Sequence, residues 1–340
     1  MPNMKAIQFQ PGVPLDQPGA ALEVEIPRPV PSGHDVLVQV EAIGLNPVDT
    51  KVRPKTGGNP AVLGYDAAGT VVEVGSEVTS LKIGDPVYYA GSVTRPGTNS
   101  QFHLVDERIV GIRPTSLNAA ASAALPLTSL TAWESLFERL AIDPNGAHRG
   151  KSLLIIGGAG GVGSIAMQLA KRAGLTVITT ASRPESEKWC HELGADHVVN
   201  HLEALEPQIK ELGFEFIDYI ANFNNTDAYW ETMGRLIAPQ GRIVLIVEQS
   251  GDLNIGGDFK LKSVAISWEF MFTRSMFTTT DISEQQNILN KVAELVDSGE
   301  IKTTSSTVLS PINTANVIKA HRQLESGKTI GKISIDGWGE

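Results

Sequence analysis

The fold is decided by residues 153–171, which read LLIIGGAGGVGSIAMQLAK. Residues 153–156 form an apolar run that is too short for a helix and rich in branched side chains, which is typical of a buried parallel strand. Glycines follow at 157, 158, 160, 161 and 163. Beyond them, apolar residues recur at steps of three and four as far as Ala173, and Gly174 follows as a helix C-cap. The stretch therefore predicts a strand, a glycine turn and a helix, in that order.

The glycine turn has the G-x-G-x-x-G spacing of a dinucleotide-binding site. We expect Gly158 to permit the tight turn, Gly160 to let the backbone approach a pyrophosphate, and Gly163 to let the helix pack on the strand. The helix N-terminus would offer unpaired N–H groups and a positive dipole end to the phosphates. An ordinary tight turn is the alternative, but the flanking strand and helix are both present here. The cofactor-binding residues predicted at this turn are Gly158, Ala159, Gly160, Gly161, Val162 and Gly163.

The end of the second strand indicates which dinucleotide is bound. Residues 176–181 read as this strand, and an NAD site would have an acidic residue about 20 positions past the glycines to hold the ribose 2′-hydroxyl. The chain instead has Ser182 and Arg183 there, with Lys188 one turn further on. These residues suit a 2′-phosphate, because arginine offers forked charge-assisted donors to a dianion. NADPH is therefore predicted over NADH, and a solvated loop charge is the alternative reading of Arg183.

Length and composition limit the possible partners. A chain of 340 residues exceeds the size at which one hydrophobic core usually suffices, so we expect two domains. The net charge of -10 disfavours nucleic acid and anionic membranes, because both bind basic surfaces. The single cysteine, Cys190, excludes an internal disulfide and a multi-cysteine metal site. With no signal-peptide pattern and no apolar run of membrane-spanning length, we expect a cytoplasmic protein that acts on a small-molecule substrate.

Two patterns divide the chain. Residues 1–125 are short strand-like segments separated by turn residues, which predicts a β-rich domain. The apolar period becomes helical over 125–142, and strands then alternate with helices, which is typical of a parallel doubly wound sheet. A last helix from about 283 and a strand at 332–336 would return the chain to the first domain. The predicted domains are 1–126 with 276–340, and 127–275.

Five motifs follow one another along the chain: GLNPVD at 44–49, LGYDAAG at 63–69, GDPV at 84–87, LTSLTA at 127–132, and the glycine turn. With these motifs the chain resembles the medium-chain dehydrogenase/reductase superfamily, in its zinc-free quinone-oxidoreductase branch. It most closely resembles the subgroup often labelled zinc-type alcohol dehydrogenase-like. The resemblance runs end to end and implies an α/β protein, with a Rossmann doubly wound parallel sheet and a β-rich GroES-like catalytic domain. Relatives are commonly dimers, so a homodimer is expected.

The departures from the zinc-dependent members bear on the chemistry. The resemblance places Asn46 where those enzymes have a cysteine and Tyr65 where they have a histidine, and neither is a usual zinc ligand. The count of one cysteine also excludes a four-cysteine structural zinc loop. The seven histidines show no clustered spacing that suits a metal. We therefore predict that the protein has no metal site and that "zinc-type" is a label inherited from relatives.

The lack of a metal restricts the reaction, because the negative charge that forms on the acceptor must be stabilised in another way. Hydride transfer to a simple carbonyl concentrates charge on one oxygen, which a metal ordinarily stabilises. Quinones and α,β-unsaturated carbonyls instead give a delocalised phenolate or enolate, which a few hydrogen-bond donors can hold. We therefore predict NADPH-dependent reduction of a quinone or an activated C=C bond. A zinc alcohol dehydrogenase and a non-catalytic NADPH-binding scaffold stay open as alternatives.

The resemblance also implies site residues, each with a structural alternative. Asn46 would donate its amide to the substrate oxygen, or would be a turn residue. Tyr65 and Asp66 would line the same cleft, where Tyr65 would be a phenol donor or a packing residue. Thr128 matches a position near the nicotinamide, or would be a helix N-cap. His201 stands where relatives carry a tyrosine beside the adenosine phosphate.

Two further points are left open by the sequence. The enolate could be protonated by Tyr65, by Lys51, which stands where some quinone reductases have a tyrosine, or by water. The apolar run between Trp268 and Phe277 could line a pocket or a subunit interface, or be ordinary core.

Overall fold

The computed structural model describes residues 2–55 and 58–339. Contacts divide the chain into two compact units, which are Met1–Leu130 with Phe272–Glu340, and Thr131–Met271. The sequence analysis had placed these boundaries after residues 126 and 275. Each unit has its own hydrophobic core, one containing Ile7, Val38 and Ile43 and the other containing Leu154, Ile178 and Ile220. No helix in the described ranges is both long enough and apolar enough to cross a bilayer.

The N-terminal part of the first unit consists mainly of strands. In chain order it contains β1 (Asn3–Phe9), β2 (Ala21–Pro27), β3 (Asp35–Leu45), α1 (Pro47–Val52), β4 (Ala61–Val62), β5 (Asp66–Val74), β6 (Pro86–Tyr89), β7 (Phe102–Asp106), β8 (Val110–Ile112), α2 (Ala119–Ala123) and α3 (Pro126–Trp133). Strands β1, β2 and β4 form a small antiparallel sheet. The sequence analysis had not identified β1 and β2.

The second unit alternates strands and helices. After a π-helical turn at Glu134–Arg139 come β9 (Ser152–Ile156), α4 (Gly161–Arg172), β10 (Thr176–Ala181), α5 (Pro184–Glu192), β11 (His197–Asn200), α6 (Leu205–Glu211), β12 (Ile217–Asn222), α7 (Thr226–Leu236), β13 (Ile237–Leu245), α8 (Gly257–Leu261) and β14 (Ala265–Trp268). The strands pair in the order β11-β10-β9-β12-β13-β14, and every pair is parallel. This is the strand order of a Rossmann sheet, so the predicted doubly wound fold is confirmed. The order reverses between β9 and β12, where such sheets open a crevice for a ligand.

The C-terminal part of the chain completes the first unit. It contains α9 (Thr273–Phe277), α10 (Glu284–Asp297), β15 (Ser305–Leu309), α11 (Thr314–Glu325) and β16 (Lys332–Asp336). The larger sheet has the order β15-β16-β3-β5-β6-β8, with β7 also paired to β3. Strand β3 can have two partners because it is long: residues 35–39 pair with β7 and residues 42–45 pair with β16. The expected single helix in this region is thus two helices, α10 and α11, with β15 between them.

One stretch near the boundary of the units differs from the predicted helix over 125–142. Helix α3 ends at Trp133 and continues as the π-helical turn, which ends before Leu140. Ala141 has a φ of 52°, in the left-handed region, so the chain leaves the helix there. The apolar spacing had included Ala141 in the helix because it does not reveal where the backbone changes hand.

Candidate active site

Three strands of the larger sheet bring polar side chains to one point in the first unit. Asn46 follows β3 directly, Asp66 begins β5, and Lys332 begins β16. The register places Asp66 opposite Gly44 and the residue after Lys332 opposite Leu45. Since β5 and β16 both flank β3, Asn46, Asp66 and Lys332 lie side by side at one end of the sheet.

Hydrogen bonds join these residues into what we call the buried polar cluster: Asn46, Asp49, Asp66 and Lys332. Lys332 Nζ donates to Asp66 Oδ2 over 2.9 Å and also donates to Asn46 Oδ1. Asn46 Nδ2 donates to Asp66 Oδ2 over 2.8 Å, and the Asn46 backbone N–H donates to Asp49 Oδ2 over 2.6 Å. Lys332 is 3% exposed, and the other three residues are fully buried. The cluster is thus desolvated, and among the described residues Asp49 Oδ1 has no hydrogen-bond partner.

The Asp66 carboxylate is held by donors on both of its oxygens. Its Oδ1 accepts the backbone N–H of Leu127 over 2.7 Å, in the first turn of α3. The positive end of that helix stabilises the negative charge. Its Oδ2 accepts from Asn46 and Lys332, as described above. The sequence placed Asp66 in the catalytic cleft, and the structure shows a carboxylate that binds protein donors and orients them.

Asp49 is the member of the cluster that exchanges a proton near neutral pH. Burial raises the pKa of its carboxyl group from 3.8 to about 7, although the Asn46 N–H and the Lys332 charge act in the opposite direction. Sequence reasoning missed Asp49 even though it lies in the quoted motif at 44–49. It also missed Lys332, for which the sequence gives no local signal.

Tyr65 lies beside the cluster, with its ring packed edge-on against Phe272 at a centroid distance of 5.2 Å. Its side chain is 3% exposed, and burial, with a smaller effect from the Asp49 charge, raises the pKa of the phenol. Within the described ranges the hydroxyl has no hydrogen-bond partner. Tyr65 is therefore a neutral phenol that holds its proton more tightly than a free tyrosine does. Lys51, the other suggested proton donor, is exposed in the last turn of α1.

Thr128 lies in the first turn of α3. Its Oγ1 donates to the Leu125 carbonyl oxygen over 3.1 Å, and its side chain is buried. The suggestion that Thr128 is a helix N-cap is wrong, because α3 already begins at Pro126. Its proposed place beside the nicotinamide stays a prediction.

In the second unit the glycine turn joins β9 to α4, and its glycines differ in part from expectation. The left-handed residue of the turn is Gly157, with a φ of 92°. Gly158 is needed because a Cβ there would overlap the Thr179 side chain on β10. A Cβ on Gly163 would overlap the carbonyl oxygens of Gly157 and Gly158, which agrees with the expected close packing. Gly160 has room for a Cβ, whose nearest neighbour would be the Gly157 carbonyl oxygen at 3.4 Å.

The start of α4 has the features of a phosphate-binding helix end. Gly160 is the N-cap, so no side chain accepts from the first N–H groups, and the first turn contains no acidic residue. Those N–H groups lack intrahelical partners and lie at the positive end of the helix dipole. Ala159, Gly161 and Val162 are half-buried at this end. This end of α4 can therefore bind a pyrophosphate through its backbone.

The ends of β10 and β11 bring three of the predicted residues together. Ala181 pairs with Asn200 at the carboxyl ends of these strands, so Ser182 and His201 leave the sheet at the same edge. Arg183 follows Ser182 and begins α5 as its N-cap. Partial burial, together with the Arg183 charge, lowers the pKa of His201. Both effects favour the neutral form of the His201 imidazole.

The charges on α5 are already paired in part. The Arg183 guanidinium is half-buried and lies 3.3 Å from the Glu185 carboxylate. Lys188 is 78% exposed and lies 3.7 Å from Glu192, one turn along the same helix. The structure thus places Arg183 at the strand tip with Ser182 and His201, whereas Lys188 pairs along its own helix.

Comparison with known proteins identifies the family. Residues 32–124 match the alcohol dehydrogenase GroES-like domain, and residues 161–294 match the zinc-binding dehydrogenase family. A zinc-type alcohol dehydrogenase-like protein of Staphylococcus aureus (strain MSSA476) is 44% identical, over 98% of this chain and 100% of that protein. The chain belongs to the zinc-type alcohol dehydrogenase-like proteins of the medium-chain dehydrogenase/reductase superfamily. The expected GroES-like domain is thereby confirmed.

Other members of the superfamily indicate the range of chemistry near this chain. A crystal structure from Rhizobium etli CFN 42, of a protein provisionally described as a zinc-dependent alcohol dehydrogenase, has a TM-score of 0.95 and 48% identity and covers both chains fully. The Escherichia coli quinone oxidoreductase complexed with NADPH has a TM-score of 0.82 and 26% identity, covering 98% of this chain and 100% of that one. A 2-methylene-furan-3-one reductase of Solanum lycopersicum is 30% identical, over 92% of this chain and 74% of that protein. The chain is thus an oxidoreductase of the medium-chain type.

The family's name implies a zinc ion, but the residues of the buried polar cluster do not fit one. Zinc in proteins binds thiolate, imidazole and carboxylate groups with free lone pairs. Here the lone pairs of Asn46 Oδ1 and Asp66 Oδ2 face the Lys332 ammonium, and a zinc ion would have to displace that cation. In the described part of the chain, no group of three or more His, Cys, Asp or Glu side chains is arranged to hold a metal.

Proposed function

We propose that this protein is an NADPH-dependent, zinc-independent oxidoreductase that reduces quinones or α,β-unsaturated carbonyls by hydride transfer. The Lys332 ammonium, held between Asn46 and Asp66, is the observation that carries this proposal. An ammonium cannot coordinate a substrate oxygen as a Lewis acid does. The site therefore suits acceptors that delocalise the charge of the added hydride over their own conjugated atoms.

Relatives in the superfamily support both the proposed cofactor and the proposed class of acceptor. The Escherichia coli quinone oxidoreductase has been solved with NADPH, and the tomato protein is a 2-methylene-furan-3-one reductase. One relative thus binds the cofactor that we propose, and the other is named for a conjugated ketone. Both resemble this chain over almost all of its length.

Residues of the second unit support the proposal that NADPH binds there. With glycine as the N-cap, no side chain covers the first N–H groups of α4, which can bind a pyrophosphate. Ser182 and Arg183 would bind the 2′-phosphate, with neutral His201 next to them. When bound, NADPH supplies the hydride. Lys188 is the weaker candidate for the 2′-phosphate, because it lies on α5 beyond the strand tip where Ser182 and Arg183 lie.

The first unit supplies hydrogen bonds and a proton to the acceptor. We assign the binding of the acceptor oxygen to the Asn46 amide, which Asp66 and Lys332 hold in place. We assign protonation of the reduced acceptor to Tyr65, because it lies beside the buried polar cluster and its hydroxyl has no hydrogen-bond partner in the described chain. Asp66 then orients Asn46 and does not itself donate a proton.

Turnover with matched acceptors tests the proposed function. We expect steady NADPH oxidation with 1,2-naphthoquinone and with a linear enone, and none with the saturated ketone of the same carbon skeleton. Binding of NADPH without turnover across this panel would favour a non-catalytic scaffold. NADP⁺ reduction with a primary alcohol, lost on chelation, would favour a zinc alcohol dehydrogenase. Either result would overturn the proposal.

We also propose that the protein acts as a homodimer in the cytoplasm. Strand β14 is at the edge of the parallel sheet, and Trp268 on it is 47% exposed. With Trp230, Phe259 and Ile266, it lines a surface cavity of about 640 Å³. An unpaired strand edge with exposed aromatic surface favours association. Sedimentation of the full chain tests the dimer, and cell fractionation tests the location.

A further inference from the structure

Lys332 is a buried lysine whose ammonium serves two acceptors. Its side chain is 3% exposed, and its Nζ donates to Asp66 Oδ2 and to Asn46 Oδ1. Removing an ammonium from water costs several kcal/mol unless an anion and further hydrogen bonds compensate for the lost hydration. Asp66 supplies the anion. The contact with the Asn46 oxygen goes beyond this charge pairing and requires a separate explanation.

That contact fixes which way the Asn46 amide points. Its oxygen faces the Lys332 ammonium, and its nitrogen donates to Asp66 Oδ2 over 2.8 Å. If the amide flipped, its NH₂ group would face a cation and its oxygen would face a carboxylate, so both contacts would become repulsive. The pair formed by Lys332 and Asp66 therefore allows a single orientation of the amide.

The fixed orientation also determines what the amide can offer to a ligand. An asparagine amide has two N–H donors, and Asp66 uses one of them. The ammonium at the amide oxygen withdraws electron density from the amide, which makes the second N–H a stronger donor. The amide oxygen is occupied by Lys332, so Asn46 can act towards an acceptor only as a donor.

We propose that Lys332 is the positioning residue of the reduction site, which fixes and polarises the Asn46 amide so that its second N–H serves the acceptor oxygen. The inference rests on the proposed function, since it assigns a role within that reaction. Lys332 acts through Asn46 and need not touch the substrate. Its positive charge thus acts on the acceptor through the Asn46 amide, without direct contact with the reacting atoms.

A double-mutant cycle separates this role from a purely structural ion pair. We expect Lys332→Met and Asn46→Ala each to lower kcat for quinone or enone reduction by about 100-fold, the usual cost of one oxyanion donor. If Lys332 acts through Asn46, the double variant should be no slower than Asn46→Ala alone. Two independent losses that multiply would overturn the proposal. Lys319→Met, at an exposed lysine on α11, is the matched control and should leave kcat unchanged.

Folding and cofactor binding are measured on the same variants. The dissociation constant for NADPH should stay within about twofold of wild type, because the residues assigned to the cofactor lie in the second unit. If Lys332→Met does not fold, Lys332→Gln replaces it in the cycle, because the glutamine amide can still donate to Asn46 without a charge. An unchanged kcat in Lys332→Gln would show that the charge has no role and would overturn the proposal.

A spectroscopic readout tests the positioning without turnover. In protein labelled with ¹⁵N-asparagine, the Asn46 side-chain signals are those lost in Asn46→Ala. We expect two well-separated, slowly exchanging protons in wild type and Lys319→Met, and faster exchange in the Lys332 variant. Identical Asn46 signals in wild type and the Lys332 variant would overturn the inference. If wild type turned over no acceptor, the proposed function would fail, and these signals would still decide how Asn46 is held.

Discussion

Lys332 Nζ lies 2.9 Å from Asp66 Oδ2, although the two residues are 266 positions apart in the chain. The contact exists because β16 and β5 lie on opposite sides of β3 and begin at the same end of the sheet. The C-terminal strand therefore completes the candidate site. Asn46 binds both members of the pair, so all three residues depend on the register of these strands.

Arg183→Ala should discriminate between the two nicotinamide cofactors. Loss of a charge-assisted contact to a phosphate costs about 2 kcal/mol, so KM for NADPH should rise about 30-fold while KM for NADH stays the same. Steady-state kinetics with both cofactors measures this. Lys210→Ala, at an exposed lysine on α6, is the control and should change neither value. An equal loss for both cofactors would remove Arg183 from the 2′-phosphate.

Two glycines of the same turn should respond differently to alanine. Gly160→Ala has room for its Cβ, so the unfolding free energy should fall by less than about 1 kcal/mol while NADPH binding weakens at least tenfold. Gly163→Ala forces a Cβ against the carbonyl oxygens of Gly157 and Gly158 and should destabilise the protein by about 3 kcal/mol.

Denaturant unfolding and NADPH titration together check the two glycine variants. Gly251→Ala, at a position with open space around it, should change neither stability nor binding. If Gly160→Ala bound NADPH as wild type does, the pyrophosphate would not lie against Gly160.

Asp49→Asn should change how stability depends on pH. The folded-state pKa of Asp49 is raised from 3.8 to about 7, so between these values the folded protein holds a proton that the unfolded chain has released. Its contribution to stability is therefore present at low pH and is lost as the pH rises towards about 7. Asparagine does not titrate, so the stability of the variant relative to wild type should increase over this range, by up to about 1.4 kcal/mol per pH unit.

Urea unfolding at several pH values measures the Asp49 effect. Asp16→Asn, at an exposed aspartate in the same unit, is the matched control. A stability difference between Asp49→Asn and wild type that did not vary with pH would mean that Asp49 is already ionised in the folded protein.

Chelation should leave the activity intact. Asn46 Oδ1 and Asp66 Oδ2 accept hydrogen bonds from Lys332, so removal of free metal should not affect the site. We expect kcat with 1,2-naphthoquinone to stay the same after dialysis against a chelator, and zinc to be substoichiometric by elemental analysis. Activity that is lost on dialysis and restored by zinc would contradict this expectation.

Tyr65→Phe tests the source of the proton. Phenylalanine keeps the ring contact with Phe272 but removes the hydroxyl, so kcat with an enone should fall about 10- to 100-fold with no change in NADPH affinity. Lys51→Ala is the matched comparison, because Lys51 is the other candidate in the sequence. A loss in Lys51→Ala alone would assign the proton to the lysine, and no loss in either variant would assign it to water.

Local rules made the cofactor turn predictable but did not reveal the contact that requires Gly158. The strand, the glycines and the helix are contiguous, so the apolar spacing and the glycine spacing were sufficient to identify them. The steric reason for a glycine at position 158 was not local. Gly158 is constrained by Thr179 on the neighbouring strand, and that contact depends on how β10 pairs with β9.

The buried polar cluster was predictable only in part. Asn46, Tyr65 and Asp66 lie in short motifs that point to a family, so the resemblance suggested them as site residues. Asp49 lies in one of these motifs, but its importance comes from burial, which raises the pKa of its carboxyl group. Lys332 lies in an ordinary strand, and nothing next to it in the sequence indicates a partner at position 66.

The sequence by itself determined the Rossmann unit, its glycine turn and the two-part organisation, because periodicity and glycine spacing act over a few residues at a time. The tertiary structure alone decided that an ammonium lies between Asn46 and Asp66. The physical reason is strand register, because the pairing of β16 and β5 with β3 sets which side chains meet. Each pairing joins two segments, and their separation along the chain carries no information about their distance in space.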